Sequence, residues 1–252
     1  MLTKIYLAAV SHVKSQIVGK LQQHYLLESF MDLRGDTDSK MKYTQWWLSS
    51  DDVLLDSGAF SFMNKSKKTE SFNEQNLRVY IEDYIQFVNK YNIKKFFEMD
   101  LDCVIGYEKV KEVRKYIEQK TQKQVIPVWH ITRGIDEFHN MCEQYRYVSI
   151  GGIASKEIKV KDHYILFDLC DIAHKYGCTV HGLGYMPLSI LNENKCPFDT
   201  IDGTSWQGHM RKKSFVLNNN IITKVNDNRN WKEVAQDCFK AWTEYSRIKE
   251  MK

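Results

Sequence analysis

Proline is nearly missing from this chain, with 3 in 252 residues, and glycine numbers only 12. Long flexible or proline-rich linkers between domains are therefore not expected. The 6 cysteines, Cys103, Cys142, Cys170, Cys178, Cys196 and Cys238, never fall as C-x-x-C or C-x-C, which removes the local signature of a structural zinc site. Several lie on apolar faces, where cysteine acts as a small hydrophobe that a cytosol keeps reduced. No apolar run approaches the roughly 20 residues that span a bilayer. The start, Met1-Leu-Thr-Lys-Ile-Tyr6, has no basic stretch followed by a long apolar one, so no secretory signal is read and a cytoplasmic location is expected. Low-complexity blocks and fixed-period repeats are missing too. Charge is barely one-sided: a net +4 and a pI near 8.6 permit a nucleic-acid partner without requiring one.

What is present is enough apolar material for a full core, distributed over alternating elements. With 43% hydrophobic and 27% charged residues over 252 positions, the chain suits one α/β barrel or two small domains. Short apolar runs mark strands at 5–10, 25–30, 53–56, 96–100, 125–129, 147–150, 179–183 and 198–202. Between most of them apolar residues recur at helical spacing. Leu77, Ile81, Tyr84, Ile85 and Val88 make one such face; Leu166, Leu169, Cys170, Ala173 and Tyr176 make another, stopped by Gly177 as a C-cap residue. A last helix carries Trp231, Val234, Ala235, Cys238, Trp242 and Tyr245 on one stripe, behind Asn230 as N-cap. Eight strands with intervening helices fit a single (β/α)8 barrel over residues 1–252, near the lower size limit of that fold. A doubly wound open sheet is the rival, and the links 32–50 and 187–197 look irregular.

Chemistry-bearing residues collect where the apolar runs end. Leu54-Leu-Asp56-Ser-Gly-Ala-Phe60, Phe97-Glu-Met-Asp100-Leu-Asp102, Val125-Ile-Pro-Val-Trp-His130, Val148-Ser-Ile-Gly-Gly152 and Phe198-Asp-Thr-Ile-Asp202 each run into Asp, His or paired Gly. That distribution suits a parallel α/β enzyme with its site on the carboxyl ends of its strands. Asp202, before the turn Gly203-Thr-Ser205, fits a nucleophilic carboxylate kept ionised by turn donors, or equally an Asp that starts an Asx-turn or caps a helix. Asp199 fits an ion pair outside the barrel. Asp56 fits a site carboxylate or an amide-capping turn residue, with Gly58 and Ala59 letting a flat ligand near the backbone. Asp100 and Asp102 share a face if the strand continues; Asp102 is assigned to the site and Asp100 to the frame. His130 is a site or a structural histidine, and Trp129 is packing or a stacking platform. Gly151 and Gly152 present backbone amides to a ligand oxygen or simply turn the chain; His181-Gly-Leu-Gly184 repeats that pattern. Arg211, Lys212 and Lys213 are a solvated face or a contact for a phosphate backbone. Trp46 and Trp47 read as core rather than as base-stacking residues.

Taken in order, Asp56-Ser-Gly-Ala-Phe60, Leu101-Asp102 with Val104-Ile-Gly106, Pro127-Val-Trp-His130, Ile150-Gly-Gly152, His181-Gly-Leu-Gly184 and Asp202-Gly-Thr-Ser-Trp206 resemble the tRNA-guanine transglycosylase superfamily. Within it the chain is most similar to the phage and bacterial branch that inserts 7-deazaguanines into DNA, the deazapurine-in-DNA protein A family. The resemblance runs from about the first strand to Trp206. It implies a (β/α)8 barrel that exchanges guanine by double displacement, with Asp202 as nucleophile at C1′ and Asp56 as general acid and base. It places Asp102, Ser57, Gly151, Gly152, Gly184 and His130 around the base. Asp102 would read the N1–H and 2-amino edge, and the Gly151 and Gly152 amides the 6-oxo group. Arg211, Lys212 and Lys213 would follow the nucleic-acid backbone. The chemistry implied needs no metal and no cofactor; the partners implied are DNA and a free 7-deazaguanine of the preQ0 type, while the need for an accessory protein that supplies energy or opens the DNA stays open. The compartment is the cytoplasm, that of the host if the chain is phage-encoded. Gly203 stands where the family commonly has serine. The C-x-C-x-x-C and His zinc site of the tRNA enzymes, and their appended RNA-binding domain, have no counterpart in the sequence, which turns the expectation from tRNA toward DNA. Base exchange on RNA, an N-glycosyl hydrolase on the same barrel and a non-catalytic DNA-binding barrel are the alternatives.

Overall fold

Seven short strands pair in one sheet, in the order β3-β2-β1-β7-β6-β5-β4, all parallel. They are β1 (Lys4–Ala8), β2 (Tyr25–Ser29), β3 (Asp52–Asp56), β4 (Val128–Trp129), β5 (Tyr147–Ile150), β6 (Thr179–Gly182) and β7 (Thr200–Gly203). The computed structural model describes residues 3–59, 61–62, 73–212, 214–216, 222–224 and 228–250. Parallel neighbours require crossovers, and helices supply most of them: α1 (Asp38–Leu48) between β2 and β3, α2 (Glu74–Lys90) and α3 (Tyr107–Thr121) between β3 and β4, α4 (Ile135–Gln144) between β4 and β5, and α5 (Tyr164–Lys175) between β5 and β6; α6 (Ser205–Arg211) and α7 (Ala235–Glu250) follow β7. A two-stranded antiparallel ribbon, β8 (Ser214–Val216) with β9 (Ile222–Lys224), lies between the last two helices in the chain. No helix among the described residues is long and apolar enough to cross a membrane.

Burial separates into two cores, as a sheet covered on both faces requires. Ile5, Leu7, Leu26, Leu55, Trp129, Val148, Ile150, Val180 and Ile201 face the helices in the larger core. The residues one position along, including Tyr6, Ala8, Leu27, Leu54 and Val128, form a second cluster with Phe97 and Ile126. Members of that cluster come from both edge strands, β3 and β4, so the sheet curves around it as a parallel half-barrel. The first strand lies beside the last, with Ile5 opposite Ile201. Residues 95–98 touch both edges: Phe97 N–H donates to Leu55 O at 3.0 Å and Glu98 N–H to Ile126 O at 3.1 Å.

Three expectations change in detail. The run at 96–100 makes only two isolated bridges, at Phe96 and Phe97, because Leu101 N–H turns back to Met99 O at 2.9 Å and a helical turn begins at Asp102. The last helix starts at Ala235 rather than beside Trp231. Asn230 does cap, but it caps a separate turn through Lys232 N–H and Glu233 N–H, and Trp231 stays 36% exposed, off the buried stripe. Gly177 ends α5 as expected: its φ of +74° lets Cys178 N–H reach Ala173 O at 3.0 Å, the left-handed closure that glycine favours.

Glu28 is the buried exception on β2. It sits on the helix-facing side with no exposure, where Oε1 accepts from Ser11 N–H and Tyr43 O–H while Oε2 has no hydrogen-bond partner among the described residues. Burial pushes its carboxyl up to about 7, against the Tyr43 and Ser11 hydrogen bonds. Because the folded value exceeds the unfolded one, folding holds this proton between about pH 4.5 and 7, and stability falls as pH rises through that window. We expect Glu28→Gln to flatten the decline in urea-unfolding free energy between pH 5 and 8, removing roughly 2–3 kcal/mol at most. An unchanged slope would show that Glu28 does not carry it.

Candidate active site

Alternation along the strands decides what reaches the carboxyl end of the sheet. Successive side chains point to opposite faces, so Leu27, Leu54 and Val128 of the inner cluster are followed two positions on by Ser29, Asp56 and His130. Likewise His181 leads to Leu183, and Thr200 to Asp202. An apolar plug therefore underlies a rim of polar strand ends.

Asp202 is 6% exposed. Its Oδ1 accepts from Gly184 N–H at 2.7 Å and meets His181 Nε2 at 3.1 Å. Both groups belong to β6 and the turn after it, not to the Gly203-Thr-Ser205 turn that the sequence suggests. Gly203 is instead drawn into the ladder opposite Leu7. A side chain on Gly203 would meet Met186 at 2.8 Å, so a serine at this position would collide here. Gly184, expected at the base, is thus a holder of the carboxylate. The turn is pinned from below by the fully buried Trp206, whose Nε1–H donates to Ala8 O at 2.9 Å, and by Gln207, which donates to Ala9 O at 2.7 Å.

Asp56 closes β3, and its Oδ2 accepts from Gly58 N–H at 3.0 Å. Burial raises its carboxyl to about 7, with the charges of Asp100 and Asp202 adding and the Gly58 N–H and Ser29 hydroxyl opposing. Three carboxylates are therefore near enough to feel one another. Ser29 Oγ stands buried next to Asp56 without a well-formed hydrogen bond. The neighbouring positions serve the frame. A side chain on Gly58 (φ +72°) would lie 2.6 Å from Tyr80 Oη, so the space is filled by protein and not held open for a ligand. Ser57 is fully buried, its carbonyl accepting from Tyr80 O–H at 2.7 Å and its hydroxyl from Ala59 N–H at 3.4 Å, which turns it away from the rim. Phe60, the end of this motif, lies outside the described residues.

Of the paired aspartates the structure brings Asp100, not Asp102, to the cluster. The strand does not continue, so the two do not share a face. Asp100 Oδ2 meets His130 Nε2 at 3.3 Å, and His130 Nδ1 meets Glu157 Oε2 at 3.1 Å. Burial raises the Asp100 carboxyl against the pull of His130. Burial alone would lower the His130 pKa, but the hydrogen bond and charge of Asp100, with Glu157, outweigh it and the net shift is upward. Asp102 is instead gripped through both oxygens by Arg133, at 3.0 and 2.6 Å, while the same guanidinium donates to Glu98 at 2.7 Å. Arg133 side-chain exposure is 1%. Asp102 therefore closes a buried ion-pair network.

The remaining expectations divide. Gly151 N–H is engaged by Trp129 O at 2.8 Å, so it has no amide to offer a 6-oxo group; its missing side chain makes room for the His130 ring, 2.9 Å from where a Cβ would stand. Gly152 N–H has no partner among the described residues, and its φ of +76° favours glycine. Trp129 donates to Gly134 O and packs on Phe138; Trp47 is fully buried. Both are core. Asp199 pairs with His174 at 3.0 Å outside the inner face, as expected. Arg211 and Lys212 are exposed, with Arg211 over the Trp231 ring at 5.9 Å; Lys213 lies outside the described residues. Sequence reasoning missed Arg133, Glu157, Ser29 and the role of His181. Of these only His181 left a signal, its two-residue offset from Leu183 on the inner face. Among the described residues no group of three His, Cys, Asp or Glu is placed to hold a metal ion. Comparison with known protein families and with characterised proteins finds no match.

The two aspartates make opposite predictions. Asp102→Asn should cost about 1–3 kcal/mol in urea unfolding, by leaving the buried Arg133 half-paired, and spare ligand binding. Asp100→Asn should leave stability nearly unchanged and lower the His130 pKa in an NMR titration. The reverse pattern would return Asp102 to the site.

Proposed function

We propose that this chain is a DNA-guanine transglycosylase, exchanging guanine for a 7-deazaguanine on a full (β/α)8 barrel in which residues 95–98 act as the remaining strand between β3 and β4. The observation that carries the reading is the contrast between two carboxylates on one rim. Asp202 has two neighbours gathered on a single oxygen, which leaves its other oxygen open to attack carbon. Asp56 is held near 7, the environment of a group that gives and takes a proton at neutral pH. The order of motifs along the chain adds the substrate class.

In this reading Asp202 forms a bond to C1′ as the C–N glycosidic bond breaks. The departing ring nitrogen takes the bonding pair and a proton from Asp56, leaving a glycosyl-aspartate. An incoming deazaguanine then loses its ring N–H proton to Asp56, its nitrogen bonds to C1′, and Asp202 is released. Charge and protons balance, and configuration is retained as in two-carboxylate glycosidases. Asp100, with His130 beside it, is the group for the base's polar edge. Arg211 and Lys212 face the backbone of a nucleotide that must leave its stack to be reached.

Purified protein with preQ0 and double-stranded DNA, single-stranded DNA or tRNA, followed by mass spectrometry of digested nucleosides, tests this directly. A deazaguanine deoxynucleoside is expected. Product from tRNA alone would move the chain to RNA, free guanine without incorporation would make it a hydrolase, and silence with all three would contradict exchange by this chain alone. The two half-reactions should also respond oppositely to pH. Release of guanine should slow as pH rises through about 7, when Asp56 loses its proton, and capture of the new base should slow as pH falls below it. A pH-independent pair of rates would remove Asp56 from the acid–base role.

A further inference from the structure

We propose that His181 is a positioning residue, held in one tautomer between Asp202 on Nε2 and a hydroxyl relay from Tyr147 through Thr200 on Nδ1, so that it fixes Asp202 by Oδ1 and leaves Oδ2 as the attacking oxygen. The inference rests on the reading of Asp202 as nucleophile. His181 has no exposure and stands among the rings of Tyr6, Phe97 and Tyr147, with centroids at 6.3, 5.1 and 6.4 Å. Both its nitrogens are matched. Nε2 meets Asp202 Oδ1 at 3.1 Å and Nδ1 meets Thr200 Oγ1 at 2.8 Å; Thr200 Oγ1 in turn meets Tyr147 Oη at 2.6 Å.

Counting protons gives the direction of each bond. Asp202 Oδ1 already accepts from Gly184 N–H, and an ionised carboxylate only accepts, so Nε2 carries the imidazole proton. Tyr147 O–H has no acceptor but Thr200 Oγ1 among the described residues, so it donates there. The Thr200 hydroxyl then turns its own proton to Nδ1, which accepts. Moving the proton to Nδ1 would let Thr200 Oγ1 accept from both Nδ1–H and Tyr147 O–H, but it would set the bare Nε2 lone pair against the Asp202 carboxylate oxygen, which is costly. One arrangement satisfies all the groups.

The consequence is an asymmetric nucleophile. Oδ1 has two donors, and Oδ2 has no hydrogen bond among the described residues. A carboxylate anchored by one oxygen presents the other in a fixed direction and needs little reorganisation as the bond to carbon forms. His181 gives up no proton in this scheme; it acts through Asp202.

Two readouts test it together. Long-range proton–nitrogen NMR of labelled protein reports the His181 tautomer without any substrate, and Nε2–H is expected in the wild type. Thr200→Val, close in shape, should weaken that preference by removing the donor to Nδ1. Single-turnover formation of the protein–DNA adduct then reports positioning. His181→Phe retains ring volume but removes the donor, and should slow adduct formation about 10- to 100-fold with DNA affinity unchanged. His181→Gln, whose amide can still donate to Oδ1, should recover most of the rate. Should His181→Phe fail to fold, Thr200→Val carries the rate test, with a smaller loss in the same direction. A wild-type Nδ1–H tautomer, or adduct rates unmoved by these variants, overturns the proposal. A wild type that forms no adduct with DNA or RNA instead overturns base exchange; the tautomer then decides the relay alone, Nε2–H sustaining it and Nδ1–H refuting it.

Discussion

Glu98, a carboxylate with no exposure to water, sits where the two open edges of the sheet approach each other. Three donors converge on it: Arg114 Nε at 2.6 Å, Arg133 Nη1 at 2.7 Å and Val128 N–H at 2.8 Å. A buried carboxylate persists only when its lone pairs are met in this way, and removing one partner from such a network is strongly destabilising. The clamp joins residues 95–98 to β4, to α3 and to the turn after His130. It also decides the chemistry two and four residues on. With Arg133 held by Glu98, its remaining donors take Asp102, and Asp100 is left as the carboxylate that meets His130 and raises Asp56. Site composition here follows from a structural ion-pair network.

From that frame the rim separates two carboxylates by environment. Asp56 sits where burial and two like charges oppose ionisation; Asp202 sits where β6 brings donors to it. For Asp56 burial acts first, Asp100 adds to it and the Gly58 N–H that follows the aspartate opposes it; for Asp202 both donors, His181 and Gly184, come from elsewhere in the chain. The proposed division of labour, acid–base group and nucleophile, is the use that such a contrast best supports.

Much of the frame was legible in the sequence because it depends on local periodicity. The seven strands fall within or beside the apolar runs, Gly177 ends its helix, and Asp199 pairs outside the inner face. Asp56 and Asp202 were legible because a carboxylate at the end of a buried strand demands a partner. What was not legible is long-range. Nothing in Ile131-Thr-Arg133 announces that its guanidinium will reach Glu98 and Asp102 across more than 30 residues. The choice between Asp100 and Asp102 hung on that reach. Gly151 misled for a related reason: paired glycines suggested free amides, but one amide belongs to the ladder with Trp129 and the space belongs to His130. Ser57 and Gly58 likewise serve Tyr80 rather than a ligand.

As the proposed nucleophile, Asp202 becomes covalently bound to the sugar of a nucleotide. Wild-type protein mixed with guanine-containing DNA and no acceptor base, quenched in acid, digested and mapped by mass spectrometry, would reveal that bond. A deoxyribosyl adduct confined to the peptide that carries Asp202, and chased away by added deazaguanine, is the result predicted. An adduct on another residue, or exchange that proceeds with no adduct at all, would contradict the account.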